Sequence, residues 1–288
     1  MCKIIWRREN IWEIDRYRRQ SCGRPGGATY MNWSGKVLLW EEQGLFIGAA
    51  GSADLHESPA IKICISLDGN FQLRVSNKDD RQNHTSAVIP AGTLHAIEGG
   101  GNKMAMFLLA PEGEPGQRLL PLTSAGRISE IPEAKLRSIQ IQIPQFEDPG
   151  ISGPTGDEIY HRVIENIAAG ASDAHVPAID PRVSRSIEWI RAGRENGILV
   201  RDIAAEVDLS ESRFSHLFTE HVRVPVRRYL LWLRLRDALH MLAGGGSLTE
   251  TAHSAGFADS AHLTRTFRTS LGIAPSALVK ESSLVSFL

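Results

Sequence analysis

Residues 203–218 read IAAEVDLSESRFSHLF, and a related stretch, TAHSAGFADSAHLTRTF, spans residues 251–267, about 48 positions further on. Each stretch has a short helical run with a central alanine, a turn at Asp208 or Gly256, and a second run with apolar residues four apart. This pattern predicts a helix-turn-helix, whose second helix can enter the major groove of DNA. One predicted helix, from Pro225 to Leu242, joins the two copies, so this doubled pattern decides the fold of the C-terminal part.

Charge and length narrow the class of protein only slightly. The chain has 288 residues, enough for two domains, and a formal net charge of -1. From Asp180 to the end there are 14 Lys and Arg against 12 Asp and Glu, and 13 of those cations are Arg. The guanidinium fork matches phosphate geometry. An ordinary solvated surface fits this small excess of positive charge equally well.

The cysteines and the hydropathy pattern indicate a cytoplasmic protein. Cys2, Cys22 and Cys64 have no paired spacing, which argues against both a disulfide framework and a zinc site. The N-terminus has no apolar run typical of a signal peptide, and no stretch approaches the roughly 20 apolar residues of a membrane span. We therefore expect no membrane partner.

Residues 1–112 have the pattern of β structure. Short apolar runs separated by Gly, Asn, Asp and Pro occur at Lys36–Trp40, Leu45–Ala49, Ile61–Leu67, Phe71–Val75, Ser86–Ile89 and Met104–Leu109. Between two of them, the Asp-Gly pair in Leu67–Phe71 predicts a hairpin turn. Several short strands at this spacing favour a small all-β barrel or sandwich.

Residues 113–178 are expected to form a helical linker with dimerisation helices. Thr155–Ala169 has Ile159, Val163 and Ile167 at four-residue spacing, which predicts an amphipathic helix. Its apolar stripe either packs on its own domain or pairs with the same helix of a second subunit. Residues 179–282 are expected to form an all-α DNA-binding domain, with helix-turn-helix units at about 199–220 and 248–270.

The second helix of each unit divides into an inward and an outward face. The residues expected to contact DNA are Ser212, Arg213, Ser215, His216, Arg227, Arg228, Ser260, Ala261, His262, Thr264, Arg265 and Arg268. Arg265 is the strongest candidate for reading a base, because arginine can bind guanine O6 and N7 together. A phosphate contact is the alternative, and Arg213, Arg227, Arg228 and Arg268 are better suited to phosphate.

The C-terminal motifs resemble those of the AraC family of bacterial transcription regulators over roughly residues 180–282. The matching elements are Leu209-Ser210, Phe214–Phe218, Arg234-Leu235 with Ala238, Gly256-Phe257, Leu263–Phe267 and Gly272–Pro275. The resemblance implies two recognition helices in successive major grooves on one face of DNA, about 34 Å apart. Asp208 and Arg223 depart from the family, which usually has small residues or Gly there, so we expect the first unit to be more strained.

The N-terminal part resembles a cupin barrel. Pro90–His95 matches the cupin motif PxGxxH, and residues around His56 partly match a second cupin motif. A transition-metal site needs at least three protein ligands, and His56 and His95 supply only two. The resemblance therefore implies a metal-free module, without a cofactor, that binds an effector near His56 and His95.

An arginine-rich segment at the N-terminus is a second candidate effector site. Arg16, Arg18 and Arg19 lie among Trp6, Trp12 and Tyr17, and such residues can clamp an anionic, nucleotide-like ligand by ion pairing and stacking. The alternative is a solvated amphipathic edge.

These observations predict a DNA-binding transcription regulator and not an enzyme. Its expected partners are promoter DNA, a small-molecule effector, a second copy of the chain in a homodimer and, for an activator, RNA polymerase. Two alternatives remain open: a cupin metalloenzyme fused to a helical domain, and a constitutive DNA-binding regulator with a purely structural barrel.

Overall fold

The structure is a computed structural model that describes residues 33–40, 43–76, 80–123, 126–148, 151, 153–169, 178–193, 197–277 and 282–286. It has an N-terminal β-sheet region and a C-terminal helical region with the doubled helix-turn-helix. None of the helices within these ranges is long and apolar enough to cross a membrane.

The N-terminal region is built from two antiparallel sheets. The strands are β1 (Ser34–Leu39), β2 (Gln43–Ala49), β3 (Ser52–Glu57), β4 (Ile61–Ser66), β5 (Phe71–Arg74), β6 (Gln82–His84), β7 (Ser86–Ile89), β8 (Leu94–Glu98) and β9 (Lys103–Leu109). Strands β1, β2, β9, β4 and β7 form one sheet in that order, and β3, β8, β5 and β6 form the other. Cys64, Ile89 and Met106 of the first sheet pack against Ala53, Phe71 and Ile97 of the second. The two sheets therefore enclose a common apolar core.

Two predictions about this region are wrong. The sheets are not closed into a barrel, so the cupin barrel is not confirmed. The turn at Asp68-Gly69 is present, but β4 and β5 on either side of it belong to different sheets. The predicted hairpin is instead a connection between the two layers. Gly69 has a φ of 136°, which favours glycine in this connection.

A tenth strand comes from the C-terminal end of the chain. Strand β10 (Ser282–Ser286) pairs in parallel with β1 and so extends the first sheet to six strands at its edge. The apolar tail gave no such indication in the sequence. The chain therefore returns to the N-terminal sheet after its DNA-binding motifs.

Short helices cover the outer face of the six-stranded sheet. They are α1 (Glu114–Arg118), α2 (Leu120–Thr123), α3 (Glu133–Gln142), a 3-10 helix (Ile143–Glu147) and α4 (Gly153–Ala168). The apolar stripe of α4 is buried in one cluster with residues of the sheet. Ile159, Val163 and Ile167 of the helix belong to this cluster, as do Ile63 and Phe107 of the sheet. Of the two alternatives for this stripe, the structure supports packing within its own region. The predicted homodimer has to use another surface.

The C-terminal region follows the predicted order of helices. They are α5 (Pro181–Ala192), α6 (Val200–Glu206), α7 (Glu211–Val222), α8 (Val226–Ala243), α9 (Leu248–Ser254) and α10 (Ser260–Leu271). Helices α6 and α7 form the first helix-turn-helix, α9 and α10 form the second, and α8 joins them. Asp180 caps α5, because its side chain accepts a hydrogen bond from the backbone N–H of Arg182.

The first unit has the strained backbone that the sequence predicted. Asp208 and Arg223 adopt the left-handed conformation, with φ of 55° and 65°. Gly256 and Gly272 occupy the corresponding positions of the second unit, with φ of 75° and 76°. Residues with a Cβ pay about 1–2 kcal/mol in this conformation. The first unit is therefore built at a conformational cost that the second avoids.

Strand β3 contacts the joining helix α8 and the second helix-turn-helix unit. At one end of β3, Glu57 forms an ion pair with Arg228 near the start of α8. Further back, the backbone N–H of Asp54 donates a 2.8 Å hydrogen bond to the carbonyl oxygen of Gly272, which ends α10. One strand of the N-terminal region thus contacts both the joining helix and the end of α10.

Candidate nucleic-acid interface

Helix α7 presents the first candidate reading face. Ser210 caps it by accepting a hydrogen bond from the backbone N–H of Arg213. Phe214, Phe218 and Val222 point into the core. The opposite face is exposed along Ser212, Arg213, His216 and Glu220, whereas Ser215 is half-buried at its edge. The side chains left for DNA are therefore Ser212, Arg213 and His216, with Ser215 at the margin.

Helix α10 presents the second candidate reading face, and like α7 it has a side-chain cap at its start and an apolar inner face. The Asp259 carboxylate caps it through a 2.6 Å bond from the backbone N–H of His262. This bond, and after it the charge of Arg265, lowers the pKa of Asp259. Leu263 and Phe267 are buried. The exposed side chains are Ala261, Arg265, Arg268 and Thr269.

Arg265 and Arg268 are available for an anionic partner. Neither guanidinium forms an ion pair or a hydrogen bond with another residue in the described part of the chain. Both extend from a helix whose other face is anchored in the core by apolar residues. The arrangement can place two cationic forks on one surface, which suits guanine edges and phosphate oxygens.

Two of the polar side chains of α10 that were predicted to contact DNA, Thr264 and His262, bond within their own unit. The Thr264 hydroxyl donates to the carbonyl of Ser260 at 2.8 Å. The His262 ring accepts a 3.4 Å bond from the N–H of Ala258 and lies edge-on to Phe257, with ring centroids 5.4 Å apart. In this structure His262 closes the turn of the second unit. Its contact with DNA, like those of Ser260 and Thr264, stays a prediction.

The two adjacent arginines at the start of α8 have different surroundings. Arg227 is exposed and lies 3.5 Å from Glu211. Arg228 is half-buried and paired with Glu57 of β3. Arg227 remains free to turn towards a phosphate, whereas Arg228 holds the N-terminal sheets in this conformation. Both were predicted as phosphate contacts, and only Arg227 is placed for that role here.

A buried ion pair adds to this contact between the regions. Glu112, whose side chain is 2 % exposed, accepts a 3.1 Å hydrogen bond from Arg191 of α5. The Tyr229 hydroxyl of α8 lies beside them, and burial raises its pKa. Glu57, Glu112 and Arg191 were not predicted from the sequence, because nothing in their local sequence marks them as contacts between distant segments.

The two cupin-motif histidines meet inside the sandwich, around a lysine. The ammonium of Lys62, on β4, donates hydrogen bonds to Nε2 of His56 at 2.8 Å and of His95 at 3.0 Å. An ammonium has only donors, so each Nε2 accepts and each ring carries its proton on Nδ1. The Nδ1 atoms then donate to the carbonyls of Asp54 and Thr93.

Burial sets the charges of this cluster. Desolvation, followed by the nearby Lys62 charge, lowers the pKa of His56 to about 3, and the same causes lower the pKa of His95. Desolvation also lowers the pKa of Lys62 to about 8. At neutral pH the cluster is therefore a buried cation between two neutral rings. No Asp or Glu pairs with Lys62 among the residues that the structure describes.

The remaining predicted effector contacts, Arg16, Arg18 and Arg19, lie outside the described residues. Where the structure is described, no three His, Cys, Asp or Glu side chains come together as possible metal ligands. Lys62 occupies the point on which the two Nε2 atoms converge. The signal for it was present in the sequence, as a single lysine in the apolar run Ile61–Leu67.

Comparison with known sequences supports the C-terminal assignment. Residues 203–281 match the model of a helix-turn-helix domain family. The chain is 31% identical over 102 residues to an uncharacterized HTH-type transcriptional regulator, YidL, of Escherichia coli, covering 35% of this chain and 34% of YidL. It is 33% identical over 97 residues to the HTH-type transcriptional activator RhaS of Escherichia fergusonii, covering 33% of this chain and 35% of RhaS. The matched segments thus span about a third of these curated relatives.

Comparison with solved structures extends the similarity in fold to most of the chain. The crystal structure of a ligand-free variant of ToxT from Vibrio cholerae has a TM-score of 0.60 at 9% identity and covers 83% of this chain and 97% of its own. Wild-type ToxT bound to an unsaturated fatty acid has a TM-score of 0.51 at 13% identity, covering 83% of this chain and 94% of its own. Residues 203–281 therefore form a helix-turn-helix domain similar to those of HTH-type transcriptional regulators.

Proposed function

We propose that the chain is a sequence-specific DNA-binding transcription regulator in which α7 and α10 contact successive major grooves. The observation that carries this proposal is the pair of capped helices with exposed arginines, Arg213 on one and Arg265 and Arg268 on the other. Each helix is fixed by aromatic residues on its inner face. A rigid α8 between the units sets one register on DNA, where grooves on one face are about 34 Å apart.

Replacing Arg265 tests whether this helix reads a base. We expect Arg265→Ala to weaken binding to the preferred site by about 1–3 kcal/mol and to relax specificity at one base pair. Arg268→Ala is the matched control. If Arg268 contacts a phosphate, its loss should weaken binding equally on all sequences and reduce the slope of log affinity against log salt concentration by about 1. The measurement is the affinity for the site and for its single-base variants at several salt concentrations. An equal loss for Arg265→Ala on every sequence makes it a phosphate contact, and full affinity in both variants contradicts the proposed interface.

The N-terminal sheets are proposed to control the relative position of the two units. Strand β3 pairs with Arg228 through Glu57 and bonds to Gly272 through Asp54. A shift of β3 changes both contacts together. The reading faces themselves stay exposed, so this control acts on the orientation of α10 relative to α8 and not by covering the faces.

The effector is proposed to be a small carboxylate. Lys62 is a buried cation with no acidic partner among the described residues, and an ammonium in such surroundings favours an anion. The ligand of fatty-acid-bound ToxT is also a carboxylic acid. His56 is a residue of β3. Its ring bonds Lys62 on one side and the Asp54 carbonyl of the same strand on the other. A carboxylate that draws Lys62 away therefore releases His56, and with it β3.

Lys62→Met tests the effector class, because methionine keeps much of the length of the side chain without its charge. The probes are a long-chain unsaturated fatty acid and an aromatic carboxylic acid, with the corresponding alcohols as controls. At 100 times its dissociation constant, a bound acid should stabilise the wild-type protein by about 2.7 kcal/mol in thermal unfolding. The Lys62→Met protein should show no such shift. Equal stabilisation of both proteins places the anion elsewhere, and no shift with either acid favours the purely structural sandwich.

The cellular setting follows from the same proposal. A regulator of this kind acts in the cytoplasm on promoter DNA and, if it activates, contacts RNA polymerase. We retain the homodimer as part of the proposal. Its interface excludes the apolar stripe of α4, which is covered within the chain.

A further inference from the structure

An open groove of about 460 Å³ lies between the start of α6, the start of α7 and the middle of α8. It contains none of the reading residues of α7, although Arg227 of α8, which was predicted as a phosphate contact, lies on its edge. Four side chains of α8 line the groove: Arg227, Leu230, Leu231 and Arg234. Their spacing places them on one side of the helix.

The floor of the groove is apolar, and part of it is exposed. Leu199, which precedes α6, is 45 % exposed, and Leu230 and Leu231 are half-buried. A surface that leaves three leucines partly in contact with water gains free energy when a partner covers them.

The rim of the groove is cationic. Arg201, Arg227 and Arg234 line it, against a single acid, Glu211. Glu211 lies 3.5 Å from Arg227, and Arg201 is 3.5 Å from Asp202. The half-buried Arg234 makes no ion pair or hydrogen bond with another residue in the described part of the chain. The groove therefore has positive charge left for a partner.

The groove does not face in the direction in which α7 reads DNA. Glu211 precedes His216 by five residues, which corresponds to about 140° around an α-helix with 3.6 residues per turn. It also lies close in angle to the buried residues Phe218 and Val222. A partner in the groove can thus bind while the exposed face of α7 contacts DNA.

We propose that this groove binds an acidic amphipathic α-helix of a partner protein. A DNA backbone can pair with the arginines but leaves the leucines uncovered. A helix with leucines on one face and glutamates beside them can contact the leucines and pair with the arginines. The chain's own arginine-rich N-terminal segment has the wrong charge for this groove. The proposal rests on the proposed function, as the surface through which a DNA-bound regulator contacts another protein.

The test uses the full-length chain and a fluorescein-labelled peptide of about 18 residues, roughly 27 Å as a helix. The peptide carries leucines at three- and four-residue spacing and glutamates elsewhere. A second peptide with lysines in place of the glutamates is the charge control. The variant Leu199→Ser with Arg234→Gln removes one apolar and one cationic group of the groove. The matched control is Leu248→Ser with Arg137→Gln, an exposed leucine at the start of α9 and an exposed arginine on α3.

We expect saturable binding of the acidic peptide, weakened by about tenfold or more in the groove variant and by less than about twofold in the control variant. The lysine peptide should not bind. Absence of acidic-peptide binding to the wild-type protein, or equal binding by both variants, overturns the proposal. DNA affinity is measured separately and should be unchanged in the groove variant. A tenfold loss there assigns the groove to DNA instead, and a wild-type chain that binds peptide but no specific DNA refutes only the proposed function.

Discussion

Gly272→Ala is expected to lower the free energy of unfolding by about 3 kcal/mol and to separate the N-terminal sheets from the second helix-turn-helix unit. Gly272 has a φ of 76°, and an added Cβ would lie 2.5 Å from Nδ1 of His56 and 2.8 Å from the carbonyl oxygen of Asp54. The left-handed conformation accounts for about 1–2 kcal/mol of the cost, and crowding against a packed strand for roughly 1–3 more. Urea unfolding gives the stability, and small-angle scattering shows whether the molecule expands.

Gly245→Ala is the matched control for this experiment. Gly245 also has a positive φ, of 86°, but nothing lies within 4 Å of an added Cβ. It should cost about 1–2 kcal/mol without any expansion, because only the left-handed conformation is affected. If the two variants lose the same stability and keep the same dimensions, the close approach of Gly272 to β3 has no energetic importance.

Glu112→Gln is expected to destabilise the protein by about 3 kcal/mol, since it removes the buried carboxylate charge of the Glu112–Arg191 ion pair. Glutamine keeps the shape of the side chain, so the loss reports the charge. Denaturant unfolding of the full-length protein measures it. Adding Arg191→Met to Glu112→Gln should recover much of the lost stability, because both members of the ion pair are then uncharged.

The control for Glu112 is two residues away. Glu114 pairs with Arg118, but both side chains are about half exposed or more. Glu114→Gln should therefore change the stability by less than about 1 kcal/mol. A loss in Glu112→Gln no larger than in Glu114→Gln would show that the buried pair does not hold the two regions together.

The local pattern predicted most of the helices and the apolar strands. The spacing of Phe214 and Phe218, the cap residues and the turn at Gly256 all depend on neighbours within a few positions. Strain at Asp208 and Arg223 was expected from the family resemblance, in which small residues or Gly usually occupy these positions. Such features are determined by short-range geometry, which the sequence displays directly.

The arrangement of the strands was not accessible in this way. Strands β3 and β8 carry polar residues, including His56 and His95, that resemble loop motifs when read alone. Strand β10 is defined only by its pairing with β1, almost 250 positions earlier. Pairing between distant segments decides whether two sheets close into a barrel, and no local pattern encodes it.

The candidate site shows the same division. The exposed faces of α7 and α10 follow from helical spacing. The different surroundings of Arg227 and Arg228, adjacent residues of the same type, depend on where Glu57 of a distant strand lies. Lys62 likewise appears in the sequence as an interruption of an apolar run, and only the packing of β4 opposite the strands that carry His56 and His95 explains it.

The most direct test of DNA recognition by α7 and α10 is selection of binding sites from random double-stranded DNA by the full-length protein, with and without the carboxylate probes. Two recognition helices joined by a rigid α8 predict one enriched sequence with two conserved blocks, centred about 10 base pairs apart. Arg265→Ala should lose the information at one base pair within one of the blocks. If no sequence is enriched under any of these conditions and binding depends only on salt, this result contradicts sequence-specific recognition by α7 and α10.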